Sequence, residues 1–338
     1  MIIKSCKITN FRSHEFFELK CWKETTMISG ENGSGKTSIL EAIYEAMRGK
    51  SFRAVDKEII KRDADFYRVE LEYVDGEKVV VVYEKGGKKT FLAGDKKTAR
   101  LAKKYRYPVV LFEPDDLNLL SSSPSHKREY FDRSFGQLDD NYSSLLSRYN
   151  KALKQRNELL KSEFLSGEAV FSWNVMLARL GVKIWKVREE KIAKIDERLT
   201  EVYRSIAGDE DTVFLRLVRD SEAMDESGYL RELERNFEKD KILGYTSFGV
   251  HRDNYEFLFN GVLADGSASR GEVRSIVVAL KFIEADMILA ATGKAPVVLL
   301  DDVFSELDET RQKALVYNFK KNQVIITSVN AVEDIETS

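Results

Sequence analysis

The chain has 338 residues, of which 43% are hydrophobic and 33% charged, and its net charge is −2. Its size allows one large domain or two ordinary ones. Four prolines and two cysteines argue against a proline-rich linker and a disulfide framework, and no apolar run is long enough to span a membrane. We therefore expect a reduced cytoplasmic protein with no membrane partner.

The first 115 residues predict strands around one glycine-rich loop. Strand patterns occur near Ile2–Ile8 and at Thr25–Ser29, and Lys36–Met47 has helical spacing. Arg68–Phe91 predicts an antiparallel meander, because Asp75-Gly76 is a strong hairpin signal between two β-rich runs. A further short strand is expected at Val109–Phe112.

The middle of the chain changes character. From about residue 127 to residue 206, apolar residues recur at helical spacing, and Gly167 separates two predicted helices. This pattern predicts a helical hairpin or a small bundle, too short for a long coiled-coil arm. Phe214–Val218 resembles a strand, whereas Glu222–Lys241 fits either a charged helix or a solvated loop.

Strand and helix patterns alternate again after Lys241. Strands are predicted at 257–259, 297–300 and 324–327, with a helix at Arg274–Leu289. The simplest organisation is one discontinuous α/β domain, made of residues 1–115 and 242–338. Residues 116–241 would then be a mostly helical insertion.

A glycine-rich loop between a predicted strand and a predicted helix carries the strongest chemical signal. It matches the pattern G-x-x-x-x-G-K-[ST], in which backbone N–H groups and the start of the helix surround phosphate oxygens. Lys36 would reach the β- and γ-phosphates of ATP, and the Thr37 hydroxyl would ligate Mg²⁺. The candidate nucleotide-binding residues here are Gly30, Glu31, Asn32, Gly33, Ser34, Gly35, Lys36, Thr37 and Ser38.

Two acids follow the apolar strand Val297–Leu300. Acids in this position emerge at the carboxyl end of a parallel strand, where ligands bind in open α/β sheets. Asp301 would hold the Mg²⁺, and Asp302 would polarise the attacking water. Asp302 and Lys36 are therefore the candidate catalytic residues.

Ser269-Arg270-Gly271-Glu272 precedes the helix predicted at Arg274–Leu289. It resembles the serine-glycine signature of ABC ATPases, in which the serine and glycine contact ATP held by a second subunit. An ordinary helix cap is the alternative interpretation of this segment. Ser305-Glu306-Leu307-Asp308 follows the acidic pair where ABC proteins carry a loop that crosses the dimer, so Asp308 is also a candidate nucleotide contact.

Together these motifs are similar to those of an ABC-type ATPase, and the whole chain resembles the RecF family, which is related to SMC-type heads. The resemblance rests on the motifs above and on Ile8–Arg12, Ser51–Arg53, Pro124, Arg128, Asp132, Tyr149–Lys151, Gln155–Asn157, Gly249–Asp253 and Leu299–Val303. It implies an ABC-type ATPase head, with a phosphate loop and a mixed sheet, carrying an inserted helical lid.

The resemblance also implies a function. It implies a homodimer that closes on double-stranded DNA with ATP and Mg²⁺ between its subunits, and weak, DNA-stimulated hydrolysis that releases it. The partners would be gap or junction DNA, RecR and RecO, which help to load RecA in replication and recombinational repair and the SOS response. The location would be cytoplasmic and nucleoid-associated. Arg12 would contact the nucleotide, as the corresponding arginine of SMC-type heads does; the alternative interpretation is a surface arginine between strands.

Several positions depart from the ABC pattern. Asp302 stands where transporters have glutamate, which suits slow hydrolysis. Thr327-Ser328-Val329 lacks the usual switch histidine, and no magnesium-sensing glutamine is identifiable near Phe112. Arg270 and Glu272 replace the glycine and glutamine of many signatures. The roles of His251 and Arg252 do not follow from the sequence, although a structural histidine is favoured.

Charge is distributed unevenly along the chain. Lys85–Arg106 has nine Lys or Arg and one acid, whereas Ala207–Asp240 has eleven acids and five Lys or Arg. A polyanion such as DNA would meet the first segment, unless that segment is only a solvated surface. Two alternative functions are an ATPase subunit of a transporter and a clamp that uses ATP only as a binding signal.

Overall fold

The computed structural model describes residues 2–94, 96–162, 167–222 and 225–329. These residues form two compact units. The first comprises the described residues up to Leu117 and from Glu284 onward, and the second is Asn118–Ile283. The predicted insertion boundaries, 116 and 241, stay a prediction; residues 242–283 are grouped with the second unit.

The strands of the described residues are numbered in chain order. They are β1 (Ile3–Phe11), β2 (His14–Lys20), β3 (Thr25–Ser29), β4 (Phe66–Tyr73), β5 (Lys78–Glu84), β6 (Thr90–Ala93), β7 (Lys96–Thr98), β8 (Val109–Phe112), β9 (Val213–Val218), β10 (Asn254–Phe259), β11 (Val262–Leu263), β12 (Val297–Asp301) and β13 (Val324–Ser328).

The helices are numbered in the same way. They are α1 (Lys36–Arg48), α2 (Asp56–Ile59), α3 (Pro124–Leu138), α4 (Asp140–Leu160), α5 (Gly167–Ala207), α6 (Glu226–Arg235), α7 (Phe237–Leu243), α8 (Arg270–Thr292) and α9 (Glu309–Asn318). Short 3-10 turns occur at Lys103–Tyr105, Pro114–Ser121 and Phe304–Glu306.

The first unit contains two sheets that share α1. An antiparallel sheet has the order β2-β1-β4-β5-β6-β7, and a parallel sheet has the order β3-β13-β12-β8. Helix α1 contacts strands of both sheets, and its apolar residues belong to the core cluster that the two sheets share. Because α1 begins directly after the glycine-rich loop, this core fixes the position of the loop.

The predicted α/β fold class is confirmed, with the antiparallel and parallel strands in separate sheets. The predicted meander is β4-β5-β6, and its first turn contains Gly76, whose φ of 85° is in the left-handed region that favours glycine. Strand β7 was not predicted, because lysines at 96 and 97 have a low strand propensity.

The second unit contains the two long helices that the sequence predicted, α4 and α5, which pack against each other. Strand β9 packs on α5 and pairs with β10, which pairs with β11. The segment that fitted either a helix or a loop contains α6 and the first part of α7. In the part of the chain that the structure describes, no helix is long and apolar enough to cross a membrane.

Buried ionic networks hold the helices of the second unit. The Arg156 guanidinium, which is inaccessible to solvent, donates hydrogen bonds to Asn174, Asp240 and Thr246. Arg188 is equally buried and forms ion pairs with Asp132 and Asp253. Each guanidinium has a carboxylate partner, as buried ions in proteins require, while Arg156 Nη2 has no hydrogen-bond partner among the described residues.

Candidate nucleotide site

The glycine-rich loop is anchored at both ends of its turn. The Gly30 N–H donates to the Ser328 carbonyl at the end of β13 (3.2 Å), and the Ser38 N–H donates to the Gly35 carbonyl in the first turn of α1 (2.9 Å). Gly33 and Gly35 have φ values of 82° and 92°. These left-handed conformations suit glycine and let successive amides turn toward one centre.

Lys36 is buried, with 7% of its surface exposed, and lies over this loop. Its ammonium donates to the carbonyls of Gly30 (2.7 Å) and Glu31 (3.0 Å). Among the described residues, no carboxylate forms an ion pair with it. A buried cation without a counter-ion, beside inward-turned amides, is a site for an anion such as a phosphate.

The two motifs that the sequence predicted to meet are in contact. The Thr37 hydroxyl donates to Asp301 Oδ1 at 2.8 Å, across 264 residues of sequence. Burial raises the pKa of Asp301, while hydrogen bonds from Thr37 and Thr327 and the charge of Arg53 oppose the increase. The hydroxyl and the carboxylate are oxygen donors of the kind that Mg²⁺ prefers.

Asp302 follows in an unusual conformation. Its φ is 54°, in the left-handed region, and its Oδ1 is buried without a hydrogen-bond partner among the described residues. Such strain and an unsatisfied polar atom together are typical of a functional position. The described residues contain no cluster of three or more His, Cys, Asp or Glu that would hold a metal by itself.

Two other predicted site residues have protein partners in this structure. Arg12 is bound to Glu41 of α1, with Nε and Nη2 donating to both carboxylate oxygens at 2.9 and 2.8 Å. Asp308 caps α9, accepting from the Arg311 N–H at 3.0 Å. Their nucleotide contacts stay predictions.

The signature segment belongs to the second unit. The Ser269 hydroxyl accepts from the Glu272 N–H at 3.3 Å, and the Glu272 carboxylate accepts from the Ser269 N–H at 2.6 Å. This reciprocal arrangement is a capping box at the start of α8. Ser269 is exposed, and Gly271 lies in the first turn. A predicted contact with a second copy's nucleotide is compatible with this exposure.

Sequence reasoning missed two residues next to the loop, Ser13 and His14. The His14 Nε2–H donates to the Gly35 carbonyl at 3.0 Å. A Cβ added at Gly35 would lie 2.5 Å from His14 Nε2 and 2.7 Å from Ser13 Oγ. The only sequence signal was their position directly after Arg12.

His251 has the structural role that the sequence favoured. Its Nε2–H donates to the Thr246 carbonyl (2.9 Å), so Nδ1 accepts from the Tyr149 hydroxyl (2.9 Å), which in turn accepts from Tyr229 (2.9 Å). Burial lowers the pKa of His251 to about 4. Arg252 lies 4.9 Å from the centre of the Tyr245 ring.

The basic segment is only partly available to a ligand. Lys96 and Lys97 of β7 are exposed on the edge of the antiparallel sheet, and Lys104 lies 4.3 Å from the centre of the Tyr105 ring. Lys89 is instead bound to Glu45 and Asp56. One of the nine basic residues is therefore already neutralised.

Comparisons with known proteins cover almost the whole chain. Residues 2–334 match the family described as the RecF/RecN/SMC N terminal domain. The chain is 33% identical to the DNA replication and repair protein RecF of Clostridium acetobutylicum, over 99% of this chain and 94% of the relative. It is 32% identical to the same-named protein of Clostridium perfringens, with the same coverage.

Two solved structures are similar to this chain over nearly its whole length. A structure of the recombination mediator protein RecF with ATP in the RecFOR pathway superposes with a TM-score of 0.88 at 27% identity, over 98% of this chain and 93% of that chain. A structure of an Smc head bound to the C-winged helix domain of ScpA has a TM-score of 0.52 at 16% identity, covering 98% of this chain and 90% of that chain. The second likeness concerns the fold alone.

Proposed function

The chain belongs to the RecF/RecN/SMC N-terminal domain family and, within it, to the RecF family, and on this premise we propose that it is an ATP-dependent DNA-binding protein of DNA replication and recombinational repair. The observation that carries the proposal is the hydrogen bond between Thr37 and Asp301. It joins the phosphate loop to the acidic pair at the carboxyl end of a parallel sheet, where such ligands bind.

Each residue of this site has a proposed task. Lys36, whose buried ammonium lacks a carboxylate partner among the described residues, binds the β- and γ-phosphates. Thr37 and Asp301 supply oxygen ligands for Mg²⁺, which when bound neutralises charge on the phosphates. Asp302 orients and polarises the attacking water through its unpaired carboxylate oxygen. Its short side chain suits slow turnover.

We further propose that the site is completed by a second copy. Ser269 and Gly271 of one subunit would contact the nucleotide held by the other, with Asp308 at the same interface and Arg12 beside the phosphates. The exposure of Ser269 at the start of α8 supports this assignment, because a helix N-terminus favours an anion. Hydrolysis would then open the dimer and release duplex DNA. We include joint function with RecR, RecO and RecA in the proposal, and family membership is its only support.

The deciding experiment is the mass of the protein in solution with and without ATP and Mg²⁺, repeated with duplex DNA. We expect a monomer alone and a dimer with ATP, and hydrolysis that DNA accelerates. Lys36→Met is expected to abolish ATP binding and dimerisation together. If DNA does not change the rate of ATP hydrolysis by the wild-type protein and ATP does not change its affinity for DNA, the proposed coupling is refuted. If Asp302→Asn releases DNA normally, the protein is better described as a clamp for which ATP is only a binding signal.

A further inference from the structure

One buried hydroxyl contacts both acids of the site. Thr327 is inaccessible to solvent at the end of β13, directly opposite Asp301 in the parallel register. The Asp302 N–H donates to Thr327 Oγ1 at 3.0 Å, and Thr327 Oγ1 lies 2.9 Å from Asp301 Oδ1. The hydroxyl has one hydrogen and donates it to Asp301 Oδ1, since the other acceptor within reach, the Leu300 carbonyl oxygen, is farther away at 3.4 Å. It accepts from the Asp302 amide.

The bond to the Asp302 amide has a particular consequence. Asp302 has a φ of 54°, in the left-handed region, which is unfavourable for residues other than glycine. Such a conformation persists only where the surroundings over-determine it. Among the described residues, Thr327 supplies the hydrogen-bond acceptor for this amide. Without the acceptor, we expect the backbone to relax and the Asp302 carboxylate to change direction.

Asp301 depends less on this hydroxyl. Its Oδ1 also accepts from Thr37 at 2.8 Å, so one hydrogen bond remains when the other is removed. The contribution of Thr327 to Asp301 is therefore partly redundant, whereas its contribution to Asp302 is not. Threonine also suits the position, because a β-branched side chain is stiff at χ1 and favours a strand.

We propose that Thr327 is a positioning residue for ATP hydrolysis, which holds the turn after β12 so that Asp302 faces the attacking water. The inference rests on the proposed ATPase function. It predicts that the hydroxyl affects the hydrolytic step and leaves ATP binding, which Lys36 and Thr37 govern, almost unchanged.

The test compares Thr327→Val, which removes the hydroxyl at similar volume, with Thr327→Ser, which keeps it. Thr26→Val is the matched control, because Thr26 is a buried threonine of the neighbouring strand β3 whose hydroxyl accepts from the Trp22 N–H at 2.8 Å. Each variant is measured for kcat, for the affinity of Mg·ATP and for thermal unfolding.

We expect Thr327→Val to lower kcat by about 10- to 100-fold, with the affinity for Mg·ATP changed less than about threefold. Thr327→Ser and Thr26→Val should both retain kcat. In an Asp302→Asn background, Thr327→Val should cause no further loss, because the two residues act as a unit. Crystal structures without nucleotide should show Asp302 leaving its left-handed conformation in Thr327→Val and keeping it in Thr327→Ser.

Three results would overturn the inference. They are full kcat in Thr327→Val, an equal loss in Thr26→Val, and an unchanged Asp302 φ in the Thr327→Val crystal. Failure of the proposed function looks different, since wild type would then hydrolyse no ATP or Asp302→Asn would hydrolyse it normally. If Thr327→Val does not fold, Thr327→Ala replaces it as the variant without the hydroxyl, and its kcat and Asp302 φ are compared with those of Thr327→Ser.

Discussion

Arg12 and Glu41 form a bidentate ion pair in which the Glu41 side chain is inaccessible to solvent and the Arg12 side chain is 26% exposed. Glu41 also accepts from the Ser51 hydroxyl at 2.6 Å, and Ser51 in turn accepts from the Arg53 N–H. The pair raises the pKa of Arg12, chiefly through its hydrogen bonds to Glu41. Arg12 is therefore fixed by the helix that follows the phosphate loop.

This pair predicts a stability effect. Arg12→Ala leaves a buried carboxylate without its partner and should lower the free energy of unfolding by roughly 3 kcal/mol. Arg12→Ala with Glu41→Gln should recover part of the loss, as urea unfolding would measure. Lys4→Ala, which breaks an exposed pair with Glu72, is the control and should cause no measurable change. If Arg12→Ala and Lys4→Ala lower the free energy of unfolding equally, the ion pair of Arg12 with Glu41 does not have the stabilising role inferred here.

Gly35 and Gly33 provide a matched pair for the phosphate loop. Alanine at either position is strained because φ is positive, but a Cβ at Gly35 also collides with Ser13 and His14, whereas at Gly33 it meets nothing within 4 Å. Gly35→Ala should therefore weaken ATP binding at least tenfold more than Gly33→Ala, as equilibrium titration would show. Equal losses would mean that the contact with His14 is unimportant.

Ser269 separates binding from dimerisation. Ser269→Arg introduces a bulky cation at an exposed helix cap, so we expect the monomer to bind ATP with unchanged affinity while the ATP-dependent dimer is lost. Analytical ultracentrifugation with ATP checks this. Since the substitution also disrupts the helix cap, Glu272→Ala, which removes the other half of the capping box, is the control and should cost stability without abolishing the dimer. A dimer of Ser269→Arg with ATP would refute the contact in trans.

The basic edge strand predicts salt-dependent DNA binding. Replacement of Lys96, Lys97, Lys103 and Lys104 by alanine should weaken duplex binding and flatten its dependence on salt, because fewer counter-ions are released. Lys20→Ala with Lys23→Ala is the control, since Lys20 lies on β2 at the opposite edge of the same sheet. An unchanged salt slope in the quadruple variant would move the DNA-binding surface elsewhere.

His251 predicts an acid-sensitive second unit. Burial lowers its pKa from 6.5 to about 4, so the unfolded chain binds more protons than the folded one between these values. Its contribution is present above pH 6.5 and is lost as the pH falls toward 4, by roughly 3 kcal/mol at most. His251→Gln should flatten the stability profile over this range, as urea unfolding at several pH values would show. His126→Gln is the control, and an unchanged profile in His251→Gln would disprove the linkage.

Local sequence alone determined much of this protein. The phosphate loop, α1, the β4-β5 hairpin and the apolar strands β12 and β13 follow from glycine placement, helical spacing and runs of buried residues, all of which act over a few neighbours. The acidic pair was identifiable for the same reason, since acids after a buried strand emerge at its carboxyl end. Strand β7 could not be predicted from the sequence, because its lysines have a low strand propensity.

Only the tertiary structure decided which side chains complete the site. The parallel register sets Thr327 beside Asp301, and the turn between β1 and β2 brings His14 to Gly35. In the sequence, the segment around Thr327 indicated only that the switch histidine of ABC proteins is absent. Pairing between strands depends on contacts distant along the chain, so no local pattern around residue 327 or residue 14 encodes it.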